Sequence, residues 1–132
     1  MKSNLLKKHA KSFYWASFFL PSNTLDKCSS LYNFCRTLDD IVDDNNKLSV
    51  KKEIFLKFKN DFESKNPNNQ IIKDMWSIID SENISKQIVT DLFDGVETDL
   101  EEKVMINSKK DLLVYSYRVA GTVGLMMSKI LK

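Results

Sequence analysis

Four aspartates crowd into six residues at the end of the segment Tyr32–Asp44, which reads YNFCRTLDDIVDD: Asp39, Asp40, Asp43 and Asp44. Carboxylates are the ligands that a hard divalent cation selects, and Mg2+ typically combines one or two of them with waters and phosphate oxygens. On a helix, Tyr32, Arg36, Asp39 and Asp43 step by four, three and four residues and share one stripe. The arginine adds paired donors for phosphate oxygens. Leu31, Cys35, Leu38 and Val42 step beside them, so a charged stripe adjoins a core-facing one, as a pocket wall requires. The arrangement is costly. Aspartate is a poor helix former. Asp39/Asp43 and Asp40/Asp44 repel at i,i+4 by about a few tenths of a kcal/mol each, and all four lie where the helix dipole disfavours negative charge. A cation between the carboxylates offsets these costs; the bland alternative is a solvated acidic helix end.

The elements that position this stripe read as helices. Three glycines and two prolines leave few breakers between long apolar periodicities, so the chain is expected to be all-α. A first helix is predicted from about Ser3 to Leu20, with Leu5, Leu6, His9, Phe13, Ala16 and Leu20 on its apolar face. Pro21 ends it, and Ser22 or Asn23 caps a second helix that carries the aspartates and stops at Asn45–Asn46. A third helix runs from about Ser49 to Glu63, with Ile54, Phe55, Phe58 and Phe62 inward and Lys51, Lys52, Lys57 and Lys59 on the wet side. Ser64–Asn69 is a polar loop, too short to link domains. A fourth helix, about Gln70–Ile79, buries Ile71, Ile72, Met75, Trp76 and Ile79. A fifth, about Ser85–Leu100, buries Ile88, Leu92, Phe93 and Val96. The last begins at Ser108 with Asp111 three residues on, a variant capping box, and ends with Met126, Met127, Ile130 and Leu131 in the core. Gly121 and Gly124 inside it cost about 1 kcal/mol each relative to Ala, which a close helix contact or room for a ligand would explain.

The chain is one domain by length. Its net charge of +2, from 20 Lys and Arg against 18 Asp and Glu, makes no case for nucleic acid. No stretch approaches the roughly 18 apolar residues of a membrane span, and no cleavable signal is evident. Lys7, Lys8 and Lys11 with the aromatics beyond them allow peripheral contact with an anionic membrane, set against ordinary core packing. Cys28 and Cys35 lie on one predicted helix, roughly 10 Å apart. That is too far for a disulfide; reduced core thiols suit a cytoplasmic protein. His9, the single histidine, cannot build a metal site with them.

Three segments, in order, resemble the squalene/phytoene synthase family. They are Ser12–Pro21 (SFYWASFFLP), Tyr32–Asp44, and Tyr115–Met127 (YSYRVAGTVGLMM), the last most similar to its phytoene synthases. The resemblance implies an isoprenoid-synthase-type helical bundle of about six helices. It also implies a DxxxD motif, matched by Asp39 and Asp43, that holds Mg2+ (or Mn2+ in its place) against a prenyl diphosphate. Carried over residue by residue, Arg36 would grip phosphate oxygens, and Tyr32 and Tyr115 would line the cavity. Ser12, Phe13, Val119, Ala120 and Gly124 would complete the substrate wall. Gly95–Asp99 (GVETD) resembles a further family segment, but Glu97 and Asp99 are given no catalytic role, since a charged helix end explains them as well.

The implied reaction is the head-to-head condensation of two geranylgeranyl diphosphates to phytoene, a step of carotenoid biosynthesis that needs no nicotinamide. Aromatic faces can stabilise a passing allylic cation, and a phenol can hydrogen-bond the departing diphosphate. One departure is serious. The family carries a second aspartate motif of the form NILRDxxED, and this chain ends at Lys132 without it. The chain is therefore expected to be the N-terminal portion of one synthase domain, to bind Mg2+–diphosphate weakly, and not to catalyse condensation alone. Core surface left bare would favour association with the missing half or with itself. A squalene- or hydroxysqualene-forming activity is the nearest alternative; a non-catalytic helical binding partner is the alternative of another class.

Overall fold

The computed structural model describes residues 18–101 and 106–131, and among them every regular element is a helix. Helix α1 spans Ser22–Asp43, α2 Leu48–Glu63, α3 Gln70–Ser81 and α4 Lys86–Asp99. The last rod comprises α5 Lys109–Ser116, a π-helical turn at Tyr117–Gly121, and α6 Thr122–Leu131. The chain is thus all-α, as its periodicity predicts. The predicted first helix, with His9, Ser12, Phe13 and the three lysines, lies outside the described residues except at its end. There Phe18–Leu20 form a turn and bend rather than a last helical turn, and Phe18 and Phe19 are exposed.

Helix boundaries follow from local chemistry. Pro21 itself stands at the N-cap of α1 and Ser22 is its first residue, with no side-chain cap; neither Ser22 nor Asn23 caps it, contrary to expectation. The fixed φ of proline and its missing N–H suit a helix entry without help. Asp44, not the asparagines, closes α1: its backbone turns extended, and its carboxylate accepts from the backbone N–H of Asn45 and from the Asn46 amide. Lys51 Nζ donates to the Val42 carbonyl at 2.8 Å, supplying a partner to the last turn. Asn69 and Ser85 cap α3 and α4 with their side-chain oxygens. Ser108 accepts from the Asp111 N–H at 3.1 Å, while Asp111 reaches back to the N–H of Asn107 rather than of Ser108. The capping box is therefore present, displaced by one residue in its return bond.

The core is aromatic at its centre. Phe34 of α1, Phe55, Phe58 and Phe62 of α2 and Phe93 of α4 are buried, with Phe34 5.6 Å from both Phe58 and Phe62 and 5.7 Å edge-on to Phe93. Pairs at such distances add to the area they bury. Trp76 stacks on Phe62 at 4.7 Å and donates its indole N–H to the Phe62 carbonyl, with the Lys65 ammonium over its outer face. Cys28 and Cys35 are buried free thiols, as predicted; Cys28 donates to the Met127 sulfur at 3.6 Å, which joins α1 to α6. Two inward assignments fail: Ile54 is 41% and Leu131 47% exposed, each just off the face that its helix presents to the core. Ile78 and Val89 are buried in their helices without having been expected there.

Candidate functional site

Helix α1 packs on α3, α6, α2 and α4, so its apolar stripe is held from several sides. Leu31, Cys35 and Leu38 are buried and Val42 is partly so. This packing fixes the rotation of the helix and with it the polar stripe. Along that stripe Tyr32 is half-buried, the Arg36 side chain is 42% exposed, Asp39 is 7% exposed, and Asp43, one turn further, is in solvent. The stripe therefore runs from the core edge outward rather than along a flat wall.

Its members do not act alike. Arg36 Nη1 donates to the Tyr32 hydroxyl at 3.1 Å, and Arg36 Nε faces Asp40 Oδ2 at 3.8 Å. Tyr32, and after it Asp40 and Asp39, push the guanidinium pKa up, so its charge is fixed at any working pH. Asp44 is engaged in the turn that ends the helix. Of the four aspartates, Asp40 and Asp44 thus have local tasks that composition does not reveal, and Asp39 and Asp43 stand one turn apart on the stripe. The Asp39 carboxylate lies against the Cys35 thiol; burial first, and then that charge, push Cys35 up to about 12.

The donor set fits Mg2+, and equally Mn2+, as two hard oxygen ligands on one helix face. Among the described residues no group of three or more His, Cys, Asp and Glu stands close enough to hold a metal ion, so waters and phosphate oxygens would have to complete the shell. Two surface depressions among the described residues are lined by Lys57, Asp61, Asn66 and Asn68–Ile71, and by Asn23, Lys27 and Asp74 with their neighbours; none of the sequence-derived site residues lines either.

The second half of the site is built on α4 and the last rod. Asp91, Gly95 and Asp99 step by four along α4 and form one stripe. Opposite them, antiparallel, Tyr117 donates to Asp91 Oδ2 at 2.9 Å and Tyr115 donates to Asp99 Oδ1 at 2.6 Å. Between these bonds, a Cβ on Gly95 would stand 2.7 Å from Arg118 Cβ and 2.9 Å from Val119 Cγ1. The close helix contact therefore belongs to Gly95. Gly121 has only the Tyr117 ring nearby and Gly124 has nothing within 4 Å. Val119, half-buried, packs on Gly95, whereas Ala120 is exposed. Burial raises the Tyr115 phenol above its ordinary value, and the Asp91 bond does so for Tyr117. Ser12 and Phe13 lie outside the described residues. Asp99, left without a role in the sequence, and Asp91 are the residues that sequence reasoning missed. The GVETD segment held the one available signal.

Among the described residues no helix is long and apolar enough to cross a membrane. The squalene/phytoene synthase family matches residues 6–132. A bifunctional lycopene cyclase/phytoene synthase of Blakeslea trispora is 29% identical over 97% of this chain and 24% of its own length. Its counterpart from Pyrenophora tritici-repentis is 32% identical over 97% of this chain and 25% of its own. The chain thus spans about a quarter of these curated relatives. A solved dehydrosqualene synthase, crystallised with ligand, superposes with a TM-score of 0.70 at 33% identity over 97% of this chain and 45% of its own. With this all-helical bundle, the aspartate pair on α1 and a match along nearly its whole length, the chain belongs to the squalene/phytoene synthase family.

Proposed function

We propose that this chain forms the first-aspartate half of a phytoene synthase-like transferase, which joins two prenyl diphosphates, geranylgeranyl diphosphate by preference, head to head to give phytoene. The observation that carries the proposal is the α1 stripe: a buried Asp39 one turn from an exposed Asp43, beside an Arg36 whose guanidinium is oriented by its bond to Tyr32. Asp39 and Asp43 would hold Mg2+, which when bound neutralises diphosphate charge and eases its departure. Arg36 keeps one face toward Tyr32 and Asp40 and, being partly exposed, has donors left for phosphate oxygens. Tyr32 and Tyr115 offer ring faces and phenol oxygens to the allylic end. Val119, Ala120 and Gly124, with Ser12 and Phe13, would border the prenyl tail.

The relatives named for phytoene synthase support the phytoene reading, and the superposed dehydrosqualene synthase supports a squalene-type product as the second. The exposed Leu112, Leu113, Val114 and Leu125 on the last rod favour an apolar partner surface, either the rest of a synthase domain or a second copy. The test is calorimetric binding of an unreactive geranylgeranyl diphosphate analogue with and without Mg2+. Binding that requires the metal and falls at least tenfold in Asp39→Ala/Asp43→Ala supports the proposal. Binding that ignores both metal and aspartates overturns it.

A further inference from the structure

The contact between α4 and the last rod is more specific than helix packing requires. Three successive positions of one α4 stripe each meet a defined partner: Asp91 the Tyr117 hydroxyl, Gly95 the backbone and side-chain stems of Arg118 and Val119, and Asp99 the Tyr115 hydroxyl. Asp91 and Asp99 are roughly 12 Å apart along the axis, yet their partners are two residues apart in sequence. The tyrosines therefore reach in opposite directions along α4, with the Gly95 contact as the fixed point between them. A π-helical turn begins at Tyr117, directly after this pair of bonds opens, and such turns are rare and concentrate where a side chain must be re-aimed. The two bonds also differ. Tyr117 is 39% exposed and its bond is an ordinary 2.9 Å, while Tyr115 is half-buried and its bond, at 2.6 Å, has the length of a charge-assisted hydrogen bond.

We propose that Asp99 is the positioning residue of Tyr115: it accepts the hydrogen bond of the phenol on the α4 side and so fixes where the hydroxyl proton points. The consequence for the substrate rests on the function proposed above. It separates two roles that the resemblance leaves open for this tyrosine. A phenol that donates its single proton to Asp99 has none to give to a departing diphosphate. Its oxygen, made more negative by the carboxylate, and its ring face are suited to an allylic cation instead. Tyr115 then acts on the hydrocarbon end of the substrate, and diphosphate recognition falls to Arg36 and the α1 aspartates.

The test uses the chain labelled with 13C at the tyrosine ζ carbon, titrated by NMR, with Tyr115→Phe to assign the signal. Tyr115 should titrate above the ordinary tyrosine value near 10. Asp99→Asn should lower it by about one pH unit or more while Tyr117 stays in place, and Asp91→Asn should do the reverse. Asp99→Ser replaces Asp99→Asn should the latter fail to fold by circular dichroism. A wild-type Tyr115 at or below the ordinary value, or one that a folded Asp99 variant does not move, overturns the positioning role. Binding of the Mg2+–geranylgeranyl diphosphate analogue then reads the consequence for the substrate: Tyr115→Phe should change affinity less than twofold, and a tenfold loss would make Tyr115 a diphosphate donor after all. Absence of any binding by wild type would count against the proposed function and leave the ligand-free titration standing.

Discussion

Replacing each of the three glycines by alanine separates the forces acting on the last rod and its partner. In a helix interior the exchange alone is favourable by about 1 kcal/mol. At Gly124 nothing lies within 4 Å of the added Cβ, so the variant should gain most of that and be more stable than wild type. At Gly121 the nearest atom is Tyr117 Cδ1 at 3.1 Å, the edge of a ring that can swing by a few tenths of an ångström, so gain and strain should nearly cancel. At Gly95 the Cβ meets Arg118 Cβ at 2.7 Å, Val119 Cγ1 at 2.9 Å and the Arg118 carbonyl carbon at 3.1 Å. Neither a Cβ nor a carbonyl carbon can rotate away, so the helices must separate, and overpacking of this kind costs about 1–3 kcal/mol. The separation also lengthens the two Tyr–Asp bonds that flank the contact, about 1 kcal/mol each. After the propensity gain, Gly95→Ala should lose about 2–4 kcal/mol. Urea unfolding followed by helical circular dichroism reads all three variants on one scale. Should Gly95→Ala prove as stable as Gly124→Ala, the α4 contact does not have the form derived above.

Further expectations follow from single groups. Cys35 is pushed up to about 12 from an unfolded value of 9.0, so the folded chain holds its proton where the unfolded chain releases it. The unfolded state then binds fewer protons above pH 9, and stability should decline as pH rises from about 9 toward 12; equilibrium unfolding across that range should show less decline in Cys35→Ala, with Cys28 contributing a smaller drop in the same direction. Iodoacetamide at pH 8 should label Cys35 far more slowly in the folded than in the urea-unfolded chain. Ser108→Ala removes the bond to the Asp111 N–H and should cost about 1 kcal/mol in the same unfolding assay, whereas Ser22→Ala, at a position where no side-chain cap exists, should cost less than half of that.

What could be read from the sequence was whatever a single helix decides for itself. Tyr32, Arg36, Asp39 and Asp43 fall on one stripe because the helical period puts them there, and Leu31, Cys35 and Leu38 are buried for the same reason. The Ser108–Asp111 cap is local and was legible in its type. Ile54 and Leu131 were not, because an apolar residue at the margin of a face is buried only if a neighbour extends that far. The glycines show the same limit from the other side. Gly121 and Gly124 drew attention by sitting together in one helix, yet the close approach is at Gly95, and only the relative placement of two helices can produce it. Asp99 lay in the GVETD segment and one period from Gly95, but nothing local paired it with Tyr115; that bond crosses sixteen positions of chain.

The four aspartates of α1 look redundant as a composition and are not redundant as a structure. Asp44 shapes the turn that leaves the helix: its backbone is extended and its carboxylate accepts from the Asn45 N–H and the Asn46 amide, while Lys51 supplies a donor to the last-turn Val42 carbonyl. Asp40 stands beside Arg36 at 3.8 Å, an exposed ion pair worth little to stability. The Asp39 charge acts on Arg36, after Tyr32 and Asp40, and it adds to burial in raising the Cys35 thiol. A helix that only needed solubility would place such a carboxylate in water. This helix instead holds one acid at 7% exposure, aims its arginine along the adjacent row, and sets a second acid one turn outward. Ligand-dependent stabilisation is therefore the physical signature to expect: Mg2+ with a diphosphate should raise the unfolding midpoint of wild type, and Asp39→Asn should lose that rise.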